Sequence, residues 1–260
     1  MSIQITTEQV KELRDATGIS VMQCKRALEE AEGDMKKALA ILKKTSSDIA
    51  QKKMTREVKD GRVSIKTGNK KAVLVSLHCE TDFVAKNKDF TTLLEKLSEK
   101  ALAEGAEKMK TESKDMIDTI IQKTGENIQL GDVYEVSGDV LGSYLHNNKI
   151  GVIVSLEGGN AELAKDIAMH IAAMKPEYIS QAEIGEDVKK TMQEIFEKEV
   201  ASIDKPAEIK KKMLDGKIAT YFKEKTLLDQ IFIKGENNET VGKLLENAKA
   251  KIKEVKRYSI

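Results

Sequence analysis

Tryptophan is absent from the 260 residues, and aromatic side chains make up only 4% of the chain. Bases of single-stranded nucleic acid stack on such rings, so that use is disfavoured. A basic excess is missing too. Forty-four Lys and Arg meet 43 Asp and Glu, for a net charge of +1, whereas a general nucleic-acid binder carries marked positive charge. The two cysteines, Cys24 and Cys79, suit a reducing compartment better than a disulfide framework. No stretch approaches the roughly 20 apolar residues of a membrane helix, and the polar run Met1 to Val10 lacks the apolar centre of a secretory signal. A soluble cytoplasmic protein with neither a nucleic-acid nor a membrane partner is expected. No Gly-rich phosphate loop is present, so no nucleotide of its own is expected; no cofactor and no metal are expected either. His78 and Cys79 are adjacent in a strand-like run and point to opposite faces, which argues against a nucleophilic dyad. With only two prolines, the chain reads as largely helical.

What is present is charge and short-range periodicity. A third of the residues are charged and 40% are apolar, enough for a core. Residues 1–45 read as three short helices capped by Thr7, Ser20 and Asp34, with Gly18 and Gly33 as stops. Val21, Cys24, Ala27, Leu28 and Ala31 have helical spacing. Residues 46–59 lack a strong apolar face and read as a linker, partly helical. Period two then sets in at Val63 and Ile65, followed by a turn and the strand Ala72 to Leu77. Helices are predicted over about 89–103 and 114–123.

The strand recurs. Asn69–Leu77 reads NKKAVLVSL and Asn148–Leu156 reads NKIGVIVSL, with six of nine positions identical at an offset of 79. Strand-like sequence from Val133 to Leu145 precedes the second copy, and a helix over 161–174 capped by Asn160 follows it. Two copies of one α+β subdomain are expected, at 60–140 and at 141–185 with 226–235. Residues 186–225 are charged, with a narrow apolar stripe, and read as a protruding antiparallel helical hairpin turning at Ser202 to Lys205. Leu227 to Ile233 reads as strand or extended. A module at 236–260 holds a helix capped by Thr240 and a last strand over 252–260. The fold class is α+β.

Asp82 and Phe83 stand out, in a loop between a strand and a helix. A phenylalanine there is an odd use of an apolar ring. Either it meets a partner, or it packs inward while Asp82 caps the next turn. His170, counted from Ile167 and Ile171, falls beside the apolar stripe of its helix.

The heptapeptide Thr81–Asn87, TDFVAKN, closely resembles the signature of the translation elongation factor Ts family. VKELRDATGISVMQCKRAL at 10–28 is similar to that family's ubiquitin-associated-like domain. Asp139–Tyr144 (DVLGSY), Met169–Ala173 (MHIAA) with Lys175-Pro176, and Thr240–Leu245 (TVGKLL) also match, in family order. Two departures stand out: Val21 replaces the Met common before Met22, and the family's Gly-Glu-Gly segment does not follow the last strand. The resemblance implies a guanine-nucleotide exchange factor, not an enzyme, that acts by docking on elongation factor Tu, both GDP-bound and nucleotide-free. It implies that Thr81, Asp82, Phe83 and Val84 dislodge the partner's Mg²⁺. It implies partner contacts at Val21, Met22, Ile150, Gly151 and His170. Plain alternatives stay open: Val21 and Met22 in the core, Ile150 and Gly151 as ordinary strand. A passive adaptor binding through the N-terminal bundle is the second functional reading, and an RNA-associated factor using the Lys-rich helices a third. The hairpin is open to two uses, self-association or a second partner contact, with dimerisation through the complex left open.

Overall fold

The computed structural model describes residues 5–235 and 238–260. It is α+β, with two three-stranded sheets. The described chain divides into two compact units. One takes the residues up to Val136, with Leu145–Gly151 and Tyr258–Ile260; the other takes Ser137–Tyr144 and Val152–Arg257.

The first unit begins with helices α1 (Thr7–Thr17), α2 (Val21–Glu30) and α3 (Met35–Lys53). Thr6, not Thr7, caps α1. Its hydroxyl accepts from Gln9 N at 3.2 Å, and the Gln9 side chain accepts from Thr6 N at 3.0 Å, a reciprocal box that satisfies two otherwise unpaired donors. Ser20 and Asp34 cap the next two helices as expected. Val10, Leu13, Ile19, Cys24, Leu28 and Leu42 share one apolar cluster.

Residues 46–53, the first part of the stretch read as a partly helical linker, continue α3. The reason is a face that the composition hides. Ile49 and Ala50 join the main apolar cluster of the unit, and Ser46 is buried with its hydroxyl bonded to Leu42 O and the Gln122 side chain. A hydroxyl that returns to the preceding turn is tolerated on a buried helix face.

Strands β1 (Asp60–Gly68) and β2 (Lys71–Cys79) form an antiparallel hairpin, registered from Gly68 opposite Lys71 to Asp60 opposite Cys79. Then come α4 (Asp82–Lys86), α5 (Lys88–Glu104), α6 (Ala106–Glu112), α7 (Lys114–Thr124) and β3 (Ile128–Ser137). The sheet order is β1-β2-β3. Val73, Val75 and Leu77 pack with Phe90, Leu93, Leu97, Ile117 and Ile121 in the main core.

The second sheet has β4 (Val140–His146), β5 (Ile150–Glu157) and β6 (Lys251–Ser259), with β5 central as β2 is in the first. The two copies of the repeated sequence thus supply the two central strands. In each, the repeated serine reaches a neighbouring backbone carbonyl: Ser76 to Asp132 O at 3.0 Å, Ser155 to Ser137 O at 3.4 Å. The strand-like run from 133 to 145 is split between the sheets at residues 138 and 139.

Helix α8 (Ala161–Met174) follows β5, and Asn160 caps it. Gly142 allows its approach. A Cβ at that position would lie 2.1 Å from the Ala164 carbonyl carbon and 2.2 Å from Lys165 N. Helices α9 (Glu186–Ala201) and α10 (Ala207–Lys225) touch through a T-shaped Phe196–Tyr221 pair and a 2.9 Å Lys217–Glu199 bridge. Residues 227–229 form a 3₁₀ turn, where extended chain is expected, and Ile231 bridges Thr240. Helix α11 (Val241–Asn247) starts at the Thr240 cap. Residues 236 and 237 of the module expected at 236–260 lie outside the described chain. Among the described residues no helix is long and apolar enough to cross a membrane.

Candidate functional site: an exposed aromatic turn

The segment after β2 is not a loop. Thr81 caps α4, its hydroxyl accepting from Val84 N at 3.4 Å. The five residues of α4 sort by face. Val84 and Ala85 are buried in the main core, while Asp82, Phe83 and Lys86 are exposed. Phe83 is 81% exposed, the most exposed large apolar residue described. Lys86 donates to Asp82 at 2.6 Å across one turn. The inward reading of Phe83 is excluded, and Thr81, not Asp82, supplies the cap. Of the four residues Thr81–Val84, two point out and two hold the turn.

Neighbouring groups brace the turn from behind. The Glu126 carboxylate, between α7 and β3, accepts from the Glu80 and Thr81 backbone. Cys79 donates its thiol to Thr81 O at 3.2 Å, and burial pushes that thiol up to about 12. Such a group stays protonated and inert. His78 faces away from it and shares a 2.7 Å hydrogen bond with the Tyr258 hydroxyl. Burial lowers the His78 pKa, against the pull of Asp132. The two side chains have separate partners and form no dyad.

The other candidates stand on separate elements. Val21 and Met22 open α2 at 49% and 65% exposure, the outward option of the two left open. Ile150 is half-buried at the start of β5. Gly151 beside it is buried against its own unit. A Cβ there would lie 2.7 Å from Leu74 Cδ1 and 2.8 Å from Val63 Cγ1. The preceding turn places Asn147 and Asn148 at φ +51° and +55°, the paired left-handed conformation that asparagine tolerates.

His170 does not lie beside the stripe. It is fully buried on α8 with Ile167 and Ile171. Its Nδ1 accepts from Ile233 N at 3.3 Å, so Nε2 carries the proton and donates to the Gln230 side chain at 2.9 Å. Both nitrogens are satisfied, which lets a polar ring sit inside. Burial lowers its pKa, with Gln230 opposing.

Sequence reasoning missed Glu126 and Asn127. They lie about 45 residues from the turn they touch, and no local pattern links the two segments. Among the described residues no group of three or more His, Cys, Asp or Glu is placed to hold a metal ion.

The arrangement is an exposed surface on two elements of the first unit. It offers an aromatic ring beside a carboxylate on a fixed turn, and two apolar residues at a helix start. A family model described as "Elongation factor TS" matches residues 80–260. The chain is 41% identical to a protein named elongation factor Ts from Hahella chejuensis, over 98% of this chain and 92% of that one. It is 39% identical to the elongation factor Ts of Thioalkalivibrio sulfidiphilus over the same shares, and 39% identical to that of Alcanivorax borkumensis over 96% and 92%. With more than half its length matched by the family model and nearly all of it aligned to such relatives, the chain belongs to the elongation factor Ts family.

Proposed function

We propose that this chain acts in translation elongation as a guanine-nucleotide exchange factor, docking on elongation factor Tu and promoting GDP release without chemistry of its own. The observation that carries the reading is Phe83, exposed on a braced turn beside Asp82. Burying the ring in a partner is worth about 1.5–3 kcal/mol. Mg²⁺ requires near-ideal octahedral geometry at about 2.0–2.1 Å, so a ring wedged between elements near the ion displaces its ligands with a small backbone shift. Asp82 adds a negative charge that opposes the neighbouring phosphates. Thr81 and Val84 act from inside this chain, as cap and anchor.

Val21 and Met22 serve as a separate docking contact on a ubiquitin-associated-like bundle, where a flexible Met adapts well. Ile150 touches the partner directly. Gly151 and His170 contribute by shaping backbone, since their own positions are buried. The 186–225 hairpin is a coiled-coil accessory, and the site of action is the cytoplasm. Exchange implies reciprocity: a factor that weakens nucleotide binding is itself weakened by bound nucleotide, by the same ratio. The test is dissociation of fluorescent GDP from purified elongation factor Tu. Release should accelerate with added chain, and excess GDP should dissociate the complex. GDP release that is indifferent to the chain contradicts the proposal.

The exposed Val21 and Met22 favour one competing reading, a passive adaptor. A Val21→Asp, Met22→Asp double variant separates the two. The adaptor loses all function, whereas the exchange factor keeps its maximal release rate at higher concentration.

A further inference from the structure

We infer that Glu126 is a positioning residue for exchange, holding the Asp82–Phe83 turn in its working direction from behind. The inference rests on the exchange reading given above.

A helix of five residues has no stability of its own, because nucleation fixes several residues for one hydrogen bond. Two features of α4 itself hold it: the Thr81 cap and the packing of Val84 and Ala85. Neither fixes the strand end that feeds it. Glu126 does. Its Oε2 accepts from Glu80 N at 3.1 Å and from Thr81 N at 3.0 Å, and its Oε1 accepts from Thr81 Oγ1 at 2.7 Å. One carboxylate thus satisfies both backbone donors between β2 and α4. It also takes the Thr81 hydroxyl proton, which turns an oxygen lone pair toward Val84 N for the cap.

The brace is reciprocal. Glu80 Oε1 accepts from Asn127 N at 2.6 Å and lies 3.5 Å from Arg56 Nη1. Asn127 Nδ2 donates to Arg56 O at 2.6 Å. Each of two glutamates therefore takes backbone donors from the other's segment, and neither segment shifts alone. The ordering entropy of the turn is met during folding and not on docking, which is the advantage of preorganisation.

The test is a double-mutant cycle read by fluorescent GDP release from elongation factor Tu. Glu126→Ala should lower the maximal release rate on the order of tenfold, the scale of one lost charge-assisted hydrogen bond. The half-saturating concentration should change little, because Val21 and Met22 are untouched. Glu126→Gln should recover most of the rate. Its carbonyl can take both backbone donors, and its amide can donate to Thr81 Oγ1. In a Phe83→Ala background, Glu126→Ala should add nothing, since both act through one ring. If Glu126→Ala does not fold, Glu126→Asp carries the same test, with the charge kept and the carboxylate withdrawn. Additive slowing in the double variant, or a full rate from the single one, overturns the role of Glu126 alone. A full rate from Phe83→Ala overturns the exchange reading beneath it.

Discussion

Phe83 keeps its ring in water while Phe90, seven residues on, is fully buried. The difference is one of face. Phe90 follows the period of α5 into the core, whereas α4 spends its inward positions on Val84 and Ala85. The oddness of an aromatic at this place was legible in the sequence; its direction was not, because five residues carry too little periodicity to show a face. Val21 and Met22 show the same ambiguity resolved outward. Substituting Met22 by Asp should leave the melting temperature within experimental scatter, as exposed changes do. It should weaken binding to elongation factor Tu several-fold, which calorimetry of the pair measures. Gly142 behaves in the opposite way. A methyl there meets the α8 backbone and not a yielding side chain. Gly142→Ala should therefore destabilise the protein by about 1–3 kcal/mol, the usual range for overpacking, as read by urea unfolding.

At the scale of elements, the repeated nonapeptide was the clearest signal, and both copies are central strands. A buried strand needs apolar residues on both faces, and such runs stand out in a charged chain. Other elements were hidden for physical reasons. Helix α6 is a polar seven-residue piece, and the last turns of α3 bury a serine and an alanine in place of large apolar residues. Cutting the chain at residue 55 would strip Ile49 and Ala50 from the main core, so a truncation there tests stability as much as docking. His170 was misplaced although its spacing from Ile167 fits the stripe. The count from Ile167 and Ile171 put it at the edge of the stripe, and its partners Gln230 and Ile233 lie some 60 residues on. Their pairing with α8 has a pH signature. Burial holds the folded pKa of His170 below its ordinary 6.5, so the neutral ring is favoured in the fold. The stabilisation is full above 6.5 and is lost as pH falls through the folded value. As pH falls below 6.5 the melting temperature should decline. The decline should be shallower in His170→Gln, which does not titrate, and equal slopes would contradict the lowered pKa of the buried ring. His78, also lowered, contributes with the same sign in the first unit.

At the scale of the whole molecule, charge balance and the scarcity of aromatics argue against a general nucleic-acid binder, and the family motifs imply elongation factor Tu as partner. Those motifs run through both compact units, and each falls where backbone is tightly constrained. The glycine of DVLGSY admits a helix, the His of MHIAA is locked inside, and the threonine of TVGKLL caps α11. TDFVAKN differs in kind, since it alone combines a cap, an anchor and an exposed ring. The most direct measurement is therefore GDP dissociation from elongation factor Tu at saturating concentrations of the natural chain and of Phe83→Ala. The ring makes no core contact, so the variant should fold and still bind the nucleotide-free partner. Its maximal rate should fall on the order of tenfold, the equivalent of about 1.4 kcal/mol of lost wedge contact. An undiminished rate from the variant would contradict the claim that this turn opens the partner's magnesium site.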